Sequence, residues 1–422
     1  MKLDQHLRLD ETIVGAAKNI KVLTQLSWPA ETMESFLSRW RRGQPRLPQI
    51  EYPPADRFAE SASTLEWTVK ELRLYDDPIA DYLRETAQSY LTLCSLLAAA
   101  GTAEMLAPSR ELYGIPGDVL SGGKVDNLQA AKHLLTHSAN FREARHLHEA
   151  DYCLSAAVIK RGLEQGLPGV FPEDQLRIVV DRELASKAAA GATRIRLRDA
   201  TCFSDYDLEQ LLQHEAFVHS LTALNGRAQP NIRSLGLGAP RTTGPQEGLA
   251  TFAELVTGAI DIDRMERIAL RVIAIDMALR GADFIDVFRF FHEAGQTEQE
   301  SFHSAMRVFR GAPVTGGAAF TKDVVYLHGL MEVHTFFRWA LQNQRMELCR
   351  YFFAGRMTIS DAITLAPMFE NGSLIGPTYL PPWMTRTNGL TGYLAFSIFA
   401  NRISIDAIDE HHRFERVQEI SG

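Results

Sequence analysis

The sequence predicts an α+β protein, mainly helical with a small β-sheet, and three observations carry that expectation. Apolar residues recur at helical spacing through most of the 422 residues. Only two short runs, LRIVV at 176–180 and TRIRLR at 193–198, are rich in the β-branched and aliphatic residues that strands favour. Two stretches dense in proline and glycine, PRLPQIEYPP at 45–54 and PSRELYGIPGDVLSGG at 108–123, punctuate the helices without adding strands.

From Leu9 to about Ala100 the spacing gives an N-terminal helical region, residues 1–107. The second punctuated stretch is the best boundary, so 108–422 reads as a second unit, unless the two form one continuous globular body. Helices resume with Asp126. The two strands flank the alanine-rich ELASKAAAG. In the second of them, Ile195 and Leu197 alternate with Arg194, Arg196 and Arg198, which predicts one buried face, one wet basic face and a place at the sheet edge. Beyond Ser204 helix follows helix to about Leu365, then a loop bearing YLPPW at 379–383, then a closing helix near Leu390 to Ile403.

Composition bounds the function. With 45% hydrophobic and 23% charged residues the chain can bury a sizeable core. A net charge of −8 supplies no positive field for phosphate backbones or anionic lipid, which excludes nucleic acid and membrane as main partners. MKLDQHLRLDETIV puts acidic residues where a signal peptide needs its apolar stretch, and no uncharged apolar run reaches membrane length, so the expected location is cytoplasmic. Cys94, Cys153, Cys202 and Cys349 form no CxxC pair and are expected as buried, reduced thiols.

The chemistry sits in FSDYDLEQLLQHEAFVHSLTALNG, 203–226, which Ser204 or Asp205 caps and Asn225-Gly226 ends, so its histidines lie on a helix. The core is His214-Glu215-x-x-x-His219. A regular α-helix would hold the two histidines roughly 140° apart, too far for both to reach one ion. A π-bulge at Ala216 to Val218 would return the second to the face of the first. The third ligand is expected from TTGPQEGLATFAELV, 242–256, where Glu247 lies in the first turn of the next helix. Two imidazoles and a carboxylate are the donor set of a catalytic Zn²⁺ that keeps a position for water, one ion per chain, with Glu215 as the base beside it. Glu254, two turns past Glu247 on the same face, is a supporting carboxylate or a competing ligand.

HEAFVH followed by PQEGLA at 245–250 resembles the family identified by its QEGLA motif, which includes the microtubule-associated tyrosine carboxypeptidases. The likeness extends through RELYGIPGD at 110–118, RVFRG at 307–311 and FTKDVVYLHG at 320–329, about residues 110 to 340. The resemblance implies a zinc-metallopeptidase-like catalytic domain over 108–422, with His214, His219 and Glu247 on the metal, Glu215 as base, and a peptide or protein C-terminal tail as substrate, ending in an aromatic residue by analogy. Tubulin itself does not carry over, because no segment of this acidic chain resembles a microtubule-binding extension. Such a reaction needs an oxyanion donor, for which Tyr326 is the candidate, and a cation for the terminal carboxylate, for which Arg241, Arg310 and Lys322 are candidates.

Other histidine pairs are weaker. His133 and His137 read as a partly buried pair, and His146 and His148 face different sides of a helix. Two ExxH patterns, Glu143–His146 and Glu300–His303, raise a di-iron carboxylate bundle as an alternative, and an inactive binding module stabilised by zinc is a third reading.

Overall fold

The computed structural model describes residues 2–143, 153–182, 184 and 186–400. It is mainly helical with one three-stranded sheet, the α+β class that the sequence predicts. The helices used below are α1 (Lys2–Ala17), α2 (Val22–Gln25), α3 (Ala30–Trp40), α4 (Pro78–Ala98) and α5 (Asn127–Glu143). After the sheet come α6, which bears the motif, then α7 (Thr243–Thr257), α8 (Ile262–Leu279), α9 (Phe284–Glu293), α10 (Glu298–Phe309), α11 (Val325–Gln342) and α12 (Thr387–Ala400). The closing helix thus begins three residues before the expected Leu390, and residues past Ala400 lie outside the described part.

The sheet runs β1 (Arg177–Asp181), β3 (Arg194–Arg198), β2 (Ala188–Ala190), with β1 parallel and β2 antiparallel to β3. Both expected strands are present, and Ile195 and Leu197 are fully buried. The arginine-bearing strand, however, is central rather than at the edge. The alanine run supplies the missing strand, with Ala188 opposite Leu197 and Ala190 opposite Ile195. Alanine has little strand preference of its own, so pairing with β3 makes this strand and composition does not announce it.

The N-terminal helices share the interior. Leu9 and Ile13 of α1 and Leu83, Ala87 and Leu96 of α4 lie in the main core with Phe217, Leu249 and Phe337. Asp10 of α1 accepts hydrogen bonds from the backbone N–H groups of Arg233 (2.6 Å) and Ser234 (3.1 Å). A second core is aromatic: Phe36 of α3 meets Phe284 and Phe288 of α9 at ring distances of 5.1 and 4.9 Å.

Cys153 and Cys202 are joined in a disulfide, against the expectation of four thiols, while Cys94 and Cys349 are free and buried. The antiparallel bridge between Leu154 and Phe203 brings the two together across 49 residues of sequence, a long-range pairing that spacing could not announce. His133 and His137 are exposed on α5 with their rings 4.3 Å apart, rather than partly buried. His146 and His148 lie outside the described residues. No described helix is long and apolar enough to cross a membrane.

Candidate active site

The motif helix α6 is α-helical over Asp205–Leu211, π-helical over Leu212–Ser220 and α-helical again over Leu221–Arg227. Ser204 starts it with a capping box, its hydroxyl accepting from the Asp207 N–H while Asp207 accepts from the Ser204 N–H. The distortion that the five-residue spacing demands is thus a nine-residue π segment rather than a single bulge, and it contains the whole motif. It returns His219 to the face of His214, with ring centroids 4.7 Å apart and planes at 85°. Three contacts help hold the segment: the Thr222 hydroxyl donates to the Val218 carbonyl (2.7 Å), the Ser220 hydroxyl donates to the carbonyl of Gly191, just past β2 (2.8 Å), and the Arg356 guanidinium donates to the His219 carbonyl (3.1 Å).

Helix α7 brings Glu247 and Glu254 to the same imidazole from opposite sides. Glu247 Oε2 lies 3.4 Å from His214 Nε2 and 3.6 Å from His219 Nε2. Glu254, seven residues on, accepts from His214 Nδ1 at 2.5 Å. Glu254 is fully buried and also receives the Arg264 guanidinium at 3.2 Å and the Gln210 amide at 3.1 Å. A Glu254 bond at Nδ1 fixes the tautomer that leaves Nε2 free to ligate.

The donor set can be tested against zinc. Three ligand atoms at about 2.0 to 2.1 Å from one ion, at tetrahedral angles, lie roughly 3.4 Å from one another. The two distances to Glu247 match, and the ligand atoms of His214, His219 and Glu247 all fall within 4.8 Å of one another. Two imidazoles and one carboxylate suit Zn²⁺.

Close approach of α11 completes this arrangement. Gly248 abuts Gly329, where a Cβ would come within 2.3 Å of the Gly329 backbone, so the helices touch main chain to main chain. That contact sets the start of α11, with Lys322 just before it and Tyr326 in its first turn, beside Glu247. Lys322 Nζ donates to Glu247 Oε1 at 3.1 Å. Tyr326 is buried, and its ring has the cations of Arg264, Arg271 and Lys322 5.5 to 5.7 Å from its centroid.

These contacts shape the electrostatics. Burial alone would raise the Glu247 carboxyl, but Lys322 and the two histidines outweigh it and hold the group well below the usual range. Burial would depress His214, yet its bonds to Glu247 and Glu254 raise it to about 10. Glu254, pushed up by burial, is drawn down to about 2, chiefly by Arg264 and then by His214.

A cleft of about 240 Å³ opens over His214, Glu215, His219 and Glu247, with Arg310, Lys322 and Tyr326 in its walls. Five of the eight residues expected from sequence thus meet in one cluster, namely His214, His219, Glu247, Lys322 and Tyr326, and Glu215 and Arg310 face the same space. Arg241 does not. It forms a two-point pair with Asp361 at 2.8 Å and a further pair with Glu85, lining a separate hollow of about 450 Å³. Its own neighbours already neutralise it. Lys322 and Arg307 are likewise engaged, Arg307 by Asp323 at 2.5 and 2.7 Å. Arg310 has no ion pair among the described residues: it is 8% exposed, its Nε has no hydrogen-bond partner, and burial brings its guanidinium down to about 10.

Sequence reasoning missed several participants. The Arg307–Asp323 pair lies in RVFRG and FTKDVV, segments already singled out, so asking what partners those charges would have found it. The wall formed by β2 and the cleft residue Leu23 carry no sequence signal. Of the di-iron alternative, Glu300 is committed to capping α10 through Thr297, and His146 lies outside the described residues.

A family model described as microtubule-associated tyrosine carboxypeptidase matches residues 34–402. Comparison with curated proteins found no match.

Proposed function

The chain belongs to the microtubule-associated tyrosine carboxypeptidase family, and from that premise we propose that it is a zinc-dependent carboxypeptidase that removes one residue from the C-terminus of a peptide or protein. The observation that carries the zinc reading is the pair of 3.4 and 3.6 Å separations between Glu247 and the Nε2 atoms of two histidines that only a π-helix can bring together. In this reading His214, His219 and Glu247 hold the metal, and Glu254 orients His214 from behind. A zinc ion there supplies Lewis acidity to the scissile carbonyl and eases deprotonation of the attacking water.

The remaining work belongs to the chain's own groups. Glu215 adjoins His214, faces the cleft and has no ion pair among the described residues, so its carboxylate can take the proton of the attacking water and pass it to the leaving amine. The Tyr326 hydroxyl donates to the carbonyl oxygen as charge develops on it. Arg310, a buried cation with no ion pair among the described residues, receives the terminal carboxylate, and the pairing relieves part of the cost of burying its charge.

The sheet provides for the backbone. Lys187 and Gly191 direct their hydrogen bonds to β3, so the alternation of an antiparallel pair turns Ala188 and Ala190 toward the other edge of β2, which lines the cleft. An extended peptide can pair there.

The test is metal analysis of the purified protein followed by incubation with one peptide prepared as free acid and as C-terminal amide. One zinc per chain and release of a single residue from the acid alone is the expected result. Two irons, equal cutting of both peptides, or cuts inside them would overturn the proposal.

A further inference from the structure

We infer that the N-terminal segment around α2 completes the substrate pocket, and that Leu23 is a specificity-determining residue, an apolar wall against the side chain of the residue removed. The inference rests on the carboxypeptidase reading above. Leu23 borders the same cleft as Glu215 and Arg310, yet it comes from the far end of the sequence and is 45% exposed. A lone exposed leucine is ordinary on a protein surface. This one borders a cleft whose other walls are mostly charged or small, including Ala188 and Ala190, and it faces space that a substrate side chain could occupy.

The segment is fastened to the turn that carries Arg310. Leu26, one turn beyond Leu23, is 1% exposed and packs against Gly311, where an added Cβ would lie 3.1 Å from its side chain. Trp28 Nε1 donates to the Tyr52 hydroxyl oxygen (3.0 Å), which also accepts from the Gly311 N–H (2.8 Å). The carboxylate and the side chain of a terminal residue leave the same Cα. If Arg310 holds the carboxylate, the side chain must lie within a few ångströms of that turn, where Leu23 is held.

The family match begins at residue 34, after this segment. The candidate metal ligands and the base therefore lie inside the matched span, while this wall comes from outside it. Phe320 and Tyr326 add apolar surface to the cleft from inside the matched span, and Leu23 is what the N-terminal segment contributes to it.

The experiment uses the full chain carrying Glu215→Gln and loaded with zinc, so that peptides bind without turnover. Calorimetry compares two peptides identical except for a terminal phenylalanine or serine, with Leu23 present and with Leu23→Ala. The parent should prefer phenylalanine, and Leu23→Ala should reduce that preference about tenfold while the serine peptide binds nearly as before. Leu23→Met, which keeps the apolar volume, should restore the preference. Unchanged preference in Leu23→Ala, or an equal loss for both peptides, would overturn the assignment of Leu23 and leave the carboxypeptidase reading intact. If neither peptide binds the parent, the carboxypeptidase reading fails and the inference falls with it.

Discussion

The hollow beside Arg241, about 450 Å³, and the cleft over His214, about 240 Å³, are both lined by arginine and glutamate. In the hollow Arg241 is shared between Asp361 and Glu85, Arg84 is paired with Asp81, and the charges with no ion pair among the described residues, Arg73 and Glu111, are exposed to water. In the cleft Lys322 and Arg307 are matched, but Glu215 and Arg310 have no ion pair among the described residues. Volume does not mark the candidate site. What distinguishes the cleft is a buried guanidinium, Arg310, kept near His214, His219 and Glu247 at a desolvation cost that an incoming anion would relieve.

The sharpest way to break this comparison is to neutralise one glutamate in each place. Glu215→Gln should keep one zinc per chain and lower the turnover rate by about a hundredfold to ten-thousandfold, the usual contribution of a general base. Glu85→Gln, at the hollow, should leave the rate unchanged. Parallel metal analysis and peptide hydrolysis on the two variants decide the matter, and a wild-type rate in Glu215→Gln would remove the base from the mechanism.

The next effect is on metal affinity and acid stability. Glu254→Gln should weaken zinc binding about tenfold to a hundredfold, since it deprives His214 of the carboxylate that orients its ring. The same glutamate titrates near pH 2 rather than at its ordinary 4.5. A depressed carboxylate contributes stability above the unfolded value and loses it as pH falls through the folded one, so roughly 3 kcal/mol should disappear between about pH 4.5 and 2. Denaturant titrations of the metal-free protein across that range should show a shallower decline in Glu254→Gln. Parallel curves would mean that another group governs the acid limb.

Arg310→Met comes third. Losing a charge-assisted contact of about 1.5 to 3 kcal/mol should slow cleavage of a free-acid peptide about tenfold to a hundredfold. The amide, which never engaged the guanidinium, should react at its former low rate, so the ratio of the two kcat/KM values tests the role directly. A loss common to acid and amide would make Arg310 a packing residue.

The same contrast explains how much was legible in the sequence. The meeting of His214, His219 and Glu247 could be read from the spacing rules that a shared ion would impose, because a five-residue spacing converts into a demand for π geometry. The strands at 177 and 194 were readable from their own side chains. The third strand, the Cys153–Cys202 bond and the place of Leu23 depend on which distant segments meet, and no local pattern encodes that. The arginines fell between these cases. Sequence marked Arg241, Arg310 and Lys322 as cations in glycine-punctuated segments, but whether a cation is free is decided by partners such as Asp361, 120 residues from Arg241.

That last point yields the prediction with the smallest effect on catalysis. Arg241→Met removes the cation from between Asp361 and Glu85. Glu85 is largely exposed and will be solvated, but Asp361 is buried, and its carboxylate also accepts the Thr358 N–H (2.8 Å) in the cap of the helix Ile359–Thr364. It would be left charged without a counter-ion, which costs about 3 kcal/mol when one side of a buried pair is removed. Thermal or denaturant unfolding should therefore show a clear loss of stability, whereas kcat/KM of the folded enzyme, and its preference for free acid over amide, should stay within about twofold of the parent, below the effect of losing even one net hydrogen bond. The double variant Arg241→Met with Asp361→Leu, which removes both charges, should recover much of the stability. A selective loss of activity on the free acid in Arg241→Met would place a second carboxylate anchor at the hollow, and the distinction between a self-neutralised region and a reactive one would no longer separate the two cavities.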